Sequence, residues 1–262
     1  MNIDHSNFNL SSIISLFSGA IIWETVKLIY PDIKQYFDKT KEAKKILYQN
    51  MDLAIKSADE VFGKLESLAR EDFSTFINKS NSTSDSPEHN QIYVCYLLAQ
   101  FWAALENIRI QSSYTSIARL KKGKELIRFI ETIESRKFRV LDRSKQRIIG
   151  EGMIINSGEK FQIMPLYLFF DKIKSDITFN SWINELKTQF LSTKKIETRQ
   201  KILIHGVIIA MFLDHFDNNQ NIARRRDIYL NKLRPESIKL IKNTLIKHYL
   251  PFVKKEKRYI GD

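Results

Sequence analysis

The chain has 262 residues, and its 42 lysines and arginines against 30 aspartates and glutamates give a net charge of +12. Glycine and proline together number thirteen, about 5% of the chain where about 12% is usual. Sheets, tight turns and phosphate-binding loops depend on these residues, so their scarcity argues against an all-β fold, a Rossmann domain and a P-loop enzyme. A single cysteine excludes an internal disulfide and a cysteine-based zinc site. We expect an all-α protein, in which a long N-terminal helix is followed by a multi-helix bundle.

The N-terminal segment has the features of a membrane anchor. Residues 6–23 carry no charged side chain. Residues 10–30 supply the roughly 20 residues that a bilayer core requires, provided that Glu24 and Lys27 lie near one interface. Lysines follow this segment and none precedes it, so the positive-inside rule places its C-terminal side in the cytoplasm. We expect residues 1–30 to anchor the chain in the inner (cytoplasmic) membrane; an interfacial helix and an ordinary core helix are the alternatives.

An apolar stripe with helical spacing continues after Pro31 and predicts a helix over about residues 32–78, either continuous with the anchor or kinked at the proline. We assign residues 31–78 to a stalk that packs on the body. A helix of this length needs neighbours, which favours binding of a protein partner or of a second copy of the chain. The members of the stripe are Ile33, Phe37, Ala43, Leu47, Met51, Ala54, Ala58, Val61, Phe62, Leu65, Leu68, Ala69, Phe73 and Phe76.

The remaining chain divides into a polar loop at residues 79–90 and a helical domain at residues 91–262. An uncharged segment within residues 93–110 predicts the central core helix, with a second membrane span as the alternative. Residues 153–163 form either a short β-hairpin around Gly158 or a loop between helices. Further helices are predicted at residues 116–135, 143–154, 165–174, 178–191, 197–214, 221–233 and 235–249.

A cluster of polar residues is predicted between two of these helices. Arg147 and Glu151 are four residues apart and can pair on one helix face, and Glu106 and Arg109 on the core helix could face them. We interpret the cluster as ion pairs that fix the helix register, with a ligand pocket, and hence an enzyme, as the alternative. No catalytic motif is recognisable, and we predict no cofactor. The cluster comprises Glu106, Arg109, Arg143, Gln146, Arg147 and Glu151.

The histidines do not predict a metal site. His205 and His215 are ten residues apart, about 15 Å along a helix, so they cannot bind one ion together. We expect His205 to lie in the core, bonded to a carbonyl. Asp214 and Asp217 are expected to complete a helix end or to cap the next helix.

The last 42 residues hold twelve basic and four acidic side chains, so +8 of the net charge of +12 lies there. This basic face is either simply solvated, placed against anionic lipid head groups, or, less favoured, bound to nucleic acid. The predicted basic patch comprises Arg224, Arg225, Arg226, Lys254, Lys255, Lys257 and Arg258.

Three stretches resemble a widespread family of uncharacterised bacterial proteins: residues 96–109 (YLLAQFWAALENIR), 146–151 (QRIIGE) and 212–217 (FLDHFD). The chain departs from that family at residues 141–145 (LDRSK), where members often show Phe-Arg-Gly-Glu. The resemblance implies an N-terminal membrane helix and a cytoplasmic all-helical domain, and it implies no reaction.

Three hypotheses follow for the function. The leading one is a membrane-anchored cytoplasmic helical scaffold that binds a partner, with a stress-response or phage-defence setting as a guess that no residue supports. The second is a soluble basic protein that binds nucleic acid. The third is an enzyme with a polar site around Arg147 and Glu151.

Overall fold

The structure, a computed structural model, describes residues 10–77, 87–111, 117–157, 160–254 and 256–261; the side chains of residues 10–23, 25, 26, 33, 75, 77, 87, 156, 157 and 160 lie outside this description. The all-α fold class is confirmed, and the predicted short hairpin is present. In chain order the elements are α1 Leu10–Arg70, α2 Ser74–Ile77, α3 Pro87–Gln111, α4 Lys121–Glu134, α5 Arg143–Gly152, β1 Ile154–Ser157, β2 Lys160–Ile163, α6 Leu166–Ser175, α7 Ile177–Leu191, α8 Ile196–Phe216, α9 Pro235–Leu240, a π-helix Ile241–Tyr249 and α10 Glu256–Ile260.

Helix α1 runs without interruption through Pro31 for 61 residues. Between residues 24 and 42, which we call the arm, none of the described side chains is buried, and burial begins at Ala43. Phe37 is 64% exposed, so the predicted packing of the stripe is wrong at this residue. Tyr36 contacts the body through Arg119, whose guanidinium lies 5.2 Å from its ring centre. The arm is about 28 Å long, since each helical residue rises about 1.5 Å.

The second half of α1 packs against α3 and α8, and α3 also packs against α5. From Ala43 to Phe76 the predicted stripe is buried, because its three- and four-residue spacing turns one helix face toward these neighbours. Residues 202–213 of α8 are buried all round, as their nearly unbroken apolar sequence predicts. A ring of side-chain amides fixes the pairing of α1 with α3, because Asn50 and Asn107 bond at 2.8 Å and Gln111 bonds to both.

Helix α1 ends eight residues earlier than predicted. The N–H of Phe73 bonds to the carbonyl of Leu68, and the N–H of Asp72 bonds to that of Ala69. These bonds close the helix end, and they place Asp72 and Phe73 in the left-handed region, with φ of 51° and 60°. Residues 78–86, which include most of the predicted loop, lie outside the described residues, and residues 87–90 belong to α3 rather than to the loop.

The helix predicted over residues 221–233 is wrong. Apart from a short 3-10 turn at Leu230–Lys232, this segment follows an irregular path. The Asp217 carboxylate accepts the backbone N–H groups of Asn221, Ile222 and Ala223. These three bonds satisfy backbone donors of the segment, although the chain continues in bends and an irregular path and not in a helix.

Strands β1 and β2 pair antiparallel, with Ile154 opposite Ile163 and Ser157 opposite Lys160. Among the residues that the structure describes, no helix is long and apolar enough to cross a membrane. The predicted span at residues 10–30 has most of its side chains outside that part of the chain.

Candidate functional site

The predicted polar cluster is organised around Glu134, the last residue of α4. The Glu134 carboxylate receives Arg109 Nη2 at 2.6 Å, Arg143 Nε at 2.8 Å and Arg147 Nη2 at 2.9 Å. Arg109 also pairs with Glu106 one turn earlier in α3. We call these five residues the Glu134 cluster. It joins α3, α4 and α5 by charge-assisted hydrogen bonds.

The two carboxylates of the cluster differ in environment. Burial raises the pKa of Glu106 and outweighs its pairing with Arg109. Burial alone would also raise the pKa of Glu134, but hydrogen bonds from Arg147 and Arg109 outweigh it and hold that pKa below its usual range. Glu134 is therefore the charged centre of the cluster; its pair with Arg109 lies away from solvent, whereas the side chain of Arg143 is 54% exposed.

The structure brings four of the six predicted residues together and separates the other two. Gln146 is buried, with 2% of its surface exposed, and its amide atoms have no hydrogen-bond partner in the described part of the chain. Glu151 is exposed and makes no ion pair with any described residue; Arg147 pairs with Glu134 instead. The predicted Arg147–Glu151 pair is therefore not formed.

Sequence reasoning missed Glu134, although a signal for it exists. Helix α4 is strongly amphipathic, and Leu126, Ile130 and Ile133 form its buried face. Glu134 lies on that face, four residues after Ile130. A carboxylate on an apolar helix face requires a cation, and Arg109 on the core helix supplies one.

A close approach of two helices supports the cluster. A Cβ atom at Gly150 of α5 would lie 3.0 Å from the backbone carbonyl of Trp102 and from Glu106 Cγ. Only glycine allows α5 to approach α3 this closely. Four clefts in the described part of the chain are lined by residues other than those of the Glu134 cluster. This arrangement suits the locking of three helices better than the binding of a substrate.

The predicted basic patch is divided by ion pairs. Arg226 forms a two-pronged pair with Asp59 of α1, and Arg258 Nε lies 2.7 Å from Asp214 Oδ2. Arg258 also donates to the backbone carbonyl of Arg226. These two arginines tie the C-terminal segment to α1 and α8. The patch members with exposed side chains are Arg224, Arg225, Lys254 and Lys257, and Lys255 lies outside the described residues.

The residues at the end of α8 have structural partners. His215 Nε2 lies 2.9 Å from Glu125 Oε2, and Asp214 accepts the Tyr259 hydroxyl at 2.6 Å. Burial would raise the pKa of Asp217, but the three backbone N–H groups that it accepts lower that pKa below its usual range. Asp217 thus caps the start of the next segment through its side chain, although no helix follows.

His205 lies in the core, as the sequence predicts. It is fully buried, and its Nδ1 lies 3.1 Å from the Phe138 carbonyl oxygen. The carbonyl can only accept, so Nδ1 carries the proton and Nε2 keeps a lone pair without a partner. Burial lowers the pKa of His205 to about 4, so its ring is neutral at pH 7. No group of three metal-ligating side chains occurs among the described residues.

Comparisons with known proteins add nothing to this geometry. No protein-family model, no curated protein and no solved structure matches the chain. The likeness of residues 96–109, 146–151 and 212–217 to a bacterial family stays a resemblance, and the function must be argued from the chain's own residues.

Proposed function

We propose that this protein is a membrane-attached helical interaction module, held to the bilayer by residues 10–30 and carrying its helical body at the end of the arm. The body would lie on the cytoplasmic face of the inner membrane. The observation that carries the proposal is the exposed arm. It presents large apolar side chains that the body leaves uncovered: Leu28 (76% exposed), Ile29, Tyr30, Tyr36 and Phe37.

Exposed apolar groups in one continuous segment mark a contact surface. The arm continues directly from residues 6–23, which carry no charge. Its exposed lysines, including Lys27 and Lys34, suit anionic head groups at the bilayer surface, and Tyr30 suits the interfacial region. These features favour lipid as the first partner of the segment, and they leave the rest of the arm for a protein partner or a second copy of the chain.

Flotation of the full chain with vesicles containing an anionic lipid tests the proposal. Wild-type protein is expected to float with the vesicles, and Leu28→Glu combined with Ile29→Glu is expected to reduce the bound fraction severalfold. Ile177→Glu on the body is the matched control, because Ile177 is 86% exposed and lies far along the chain from the arm. Wild-type protein that stays in the soluble fraction without detergent would contradict membrane attachment.

Specific contacts in the structure make the two alternative functions, nucleic-acid binding and catalysis, less favoured. Arg226 and Arg258 of the basic patch form ion pairs with Asp59 and Asp214, so they do not offer free charge to the phosphates of a nucleic acid. A charge-reversal test of that alternative therefore belongs at Arg224 and Arg225, whose replacement leaves these ion pairs intact. Catalysis at the Glu134 cluster ranks lower because its carboxylates and guanidinium groups pair with one another.

A further inference from the structure

We propose that a cleft at the far end of α1 binds the phosphate group of a small soluble molecule. The cleft has a volume of about 320 Å³ and lies between the end of α1, the first turns of α8 and residues 231–234. Its polar wall consists of Asp72, Arg199, Gln200, Asn231, Lys232 and Arg234. We call it the Arg199–Arg234 cleft. Phosphate binding itself does not depend on membrane attachment, whereas the choice of a soluble ligand over a lipid head group rests on the proposed function.

The charges of the cleft are unbalanced. Three basic side chains line it, and Asp72 is the acidic residue among its lining residues. Lys232 already pairs with Asp72, at 2.8 Å. Arg199 and Arg234 make no ion pair and no side-chain hydrogen bond with any described residue, and Arg199 is partly buried. The guanidinium groups of Arg199 and Arg234 therefore lie beside one cleft with no carboxylate partner among the described residues.

Gln200, which is 9% exposed, fixes the backbone beside the two arginines, and the Arg234 side chain itself is exposed. Gln200 Oε1 accepts the backbone N–H of Arg234 at 2.9 Å and the Ser237 hydroxyl at 2.8 Å. Its Nε2 donates to the carbonyl of Lys232 at 2.8 Å. Gln200 directly follows Arg199 in the first turns of α8. Its three hydrogen bonds therefore attach residues 232–237, which include Arg234, to the helical turn that contains Arg199. The backbone on both sides of the cleft is therefore ordered before a ligand binds, which lowers the entropic cost of binding.

The chemistry of the cleft favours phosphate. Guanidinium groups donate paired hydrogen bonds that match the oxygens of phosphate, and arginine is more weakly hydrated than lysine. The volume suits a small ligand group. An adjoining cleft of about 430 Å³ shares Asn231 and Lys232 with it, so an organic part attached to the phosphate has room.

Geometry favours a soluble phosphate ester over a lipid head group. The cleft adjoins Ala69 and Asp72, at the end of α1 opposite to the arm. Pro31 and Arg70 are 39 residues apart in one helix, which is about 60 Å. A bilayer that holds residues 10–30 is therefore far from the cleft.

Isothermal titration of the full chain with phenyl phosphate tests the site, with inorganic phosphate and benzoate as companion probes. Phenyl phosphate is expected to bind, inorganic phosphate to bind more weakly, and benzoate to bind at least tenfold more weakly than phenyl phosphate. Arg199→Gln and Arg234→Gln are each expected to weaken phenyl phosphate binding by about tenfold. Arg136→Gln, which removes an exposed arginine outside the cleft, is expected to leave binding unchanged.

Asp72→Asn is expected to raise the affinity for phenyl phosphate, whereas the arginine variants lower it. It removes the carboxylate that opposes an anion and releases Lys232, so phenyl phosphate is expected to bind severalfold more tightly. A gain of affinity cannot arise from loss of folding. The proposal is wrong if phenyl phosphate and benzoate bind equally, if Arg136→Gln weakens binding as much as Arg199→Gln does, or if the chain binds only vesicles of phosphatidic acid and no soluble phosphate.

Discussion

The buried His205 should make the stability of the protein depend on pH. Burial lowers its pKa from the ordinary value of 6.5 to about 4 in the folded chain. The unfolded chain takes up this proton near pH 6.5, so between pH 6.5 and pH 4 the unfolded state binds more protons than the folded state does. Lowering the pH through this window therefore favours unfolding, and the stability present above pH 6.5 is progressively lost.

The size of this effect follows from the two pKa values. The full difference corresponds to about 3 kcal/mol, since one pKa unit is about 1.4 kcal/mol. At pH 5 the folded protein should already have lost about 2 kcal/mol of its free energy of unfolding through His205. That is a large fraction of the roughly 5–15 kcal/mol that stabilises a typical domain.

Urea unfolding at pH 7.5, 6 and 5 measures the effect, with His205→Gln compared with wild type at each pH. The difference in free energy of unfolding between the two proteins should shrink by about 2 kcal/mol between pH 7.5 and pH 5. His248→Gln is the control, because His248 is exposed and this variant should follow the wild-type curve. An equal pH dependence in wild type and His205→Gln would refute the assignment of a neutral, buried imidazole.

Two further predictions concern the packing of the helices. Glu134→Gln should lower the free energy of unfolding by about 2 kcal/mol, since it removes the charged acceptor of the largely buried Arg109, which keeps Glu106 as a partner. Glu151→Gln should change it by less than about 0.5 kcal/mol; chemical denaturation checks both, and equal effects would contradict the central place of Glu134. Gly150→Ala should cost about 1–3 kcal/mol, because the new methyl group meets the backbone of Trp102 at 3.0 Å. Its thermal midpoint should fall below that of wild type, and an unchanged midpoint would contradict the close approach of α5 to α3.

Most of the predictions that the structure confirms rest on the spacing of apolar residues within single helices. The three- and four-residue spacing from Ala43 to Phe76 predicts a buried helix face, and the uncharged run in α3 predicts a core helix. The site was predicted less well. Arg109, Arg143 and Arg147 were expected in one cluster, but their common partner Glu134 is distant in sequence from Arg109, and the expected partner Glu151 faces outward.

The sequence alone determined the fold class and the main buried faces of this protein, because helix propensity and apolar spacing act over neighbouring residues. The scarcity of glycine and proline already indicated long helices with few turns. Only the tertiary structure decided how far α1 projects beyond the body, which carboxylate neutralises the arginines, and which two arginines remain without an anion beside a cleft. Those outcomes depend on contacts between residues far apart in the chain, such as Gln200 with Lys232 and Arg226 with Asp59, and no local pattern encodes them.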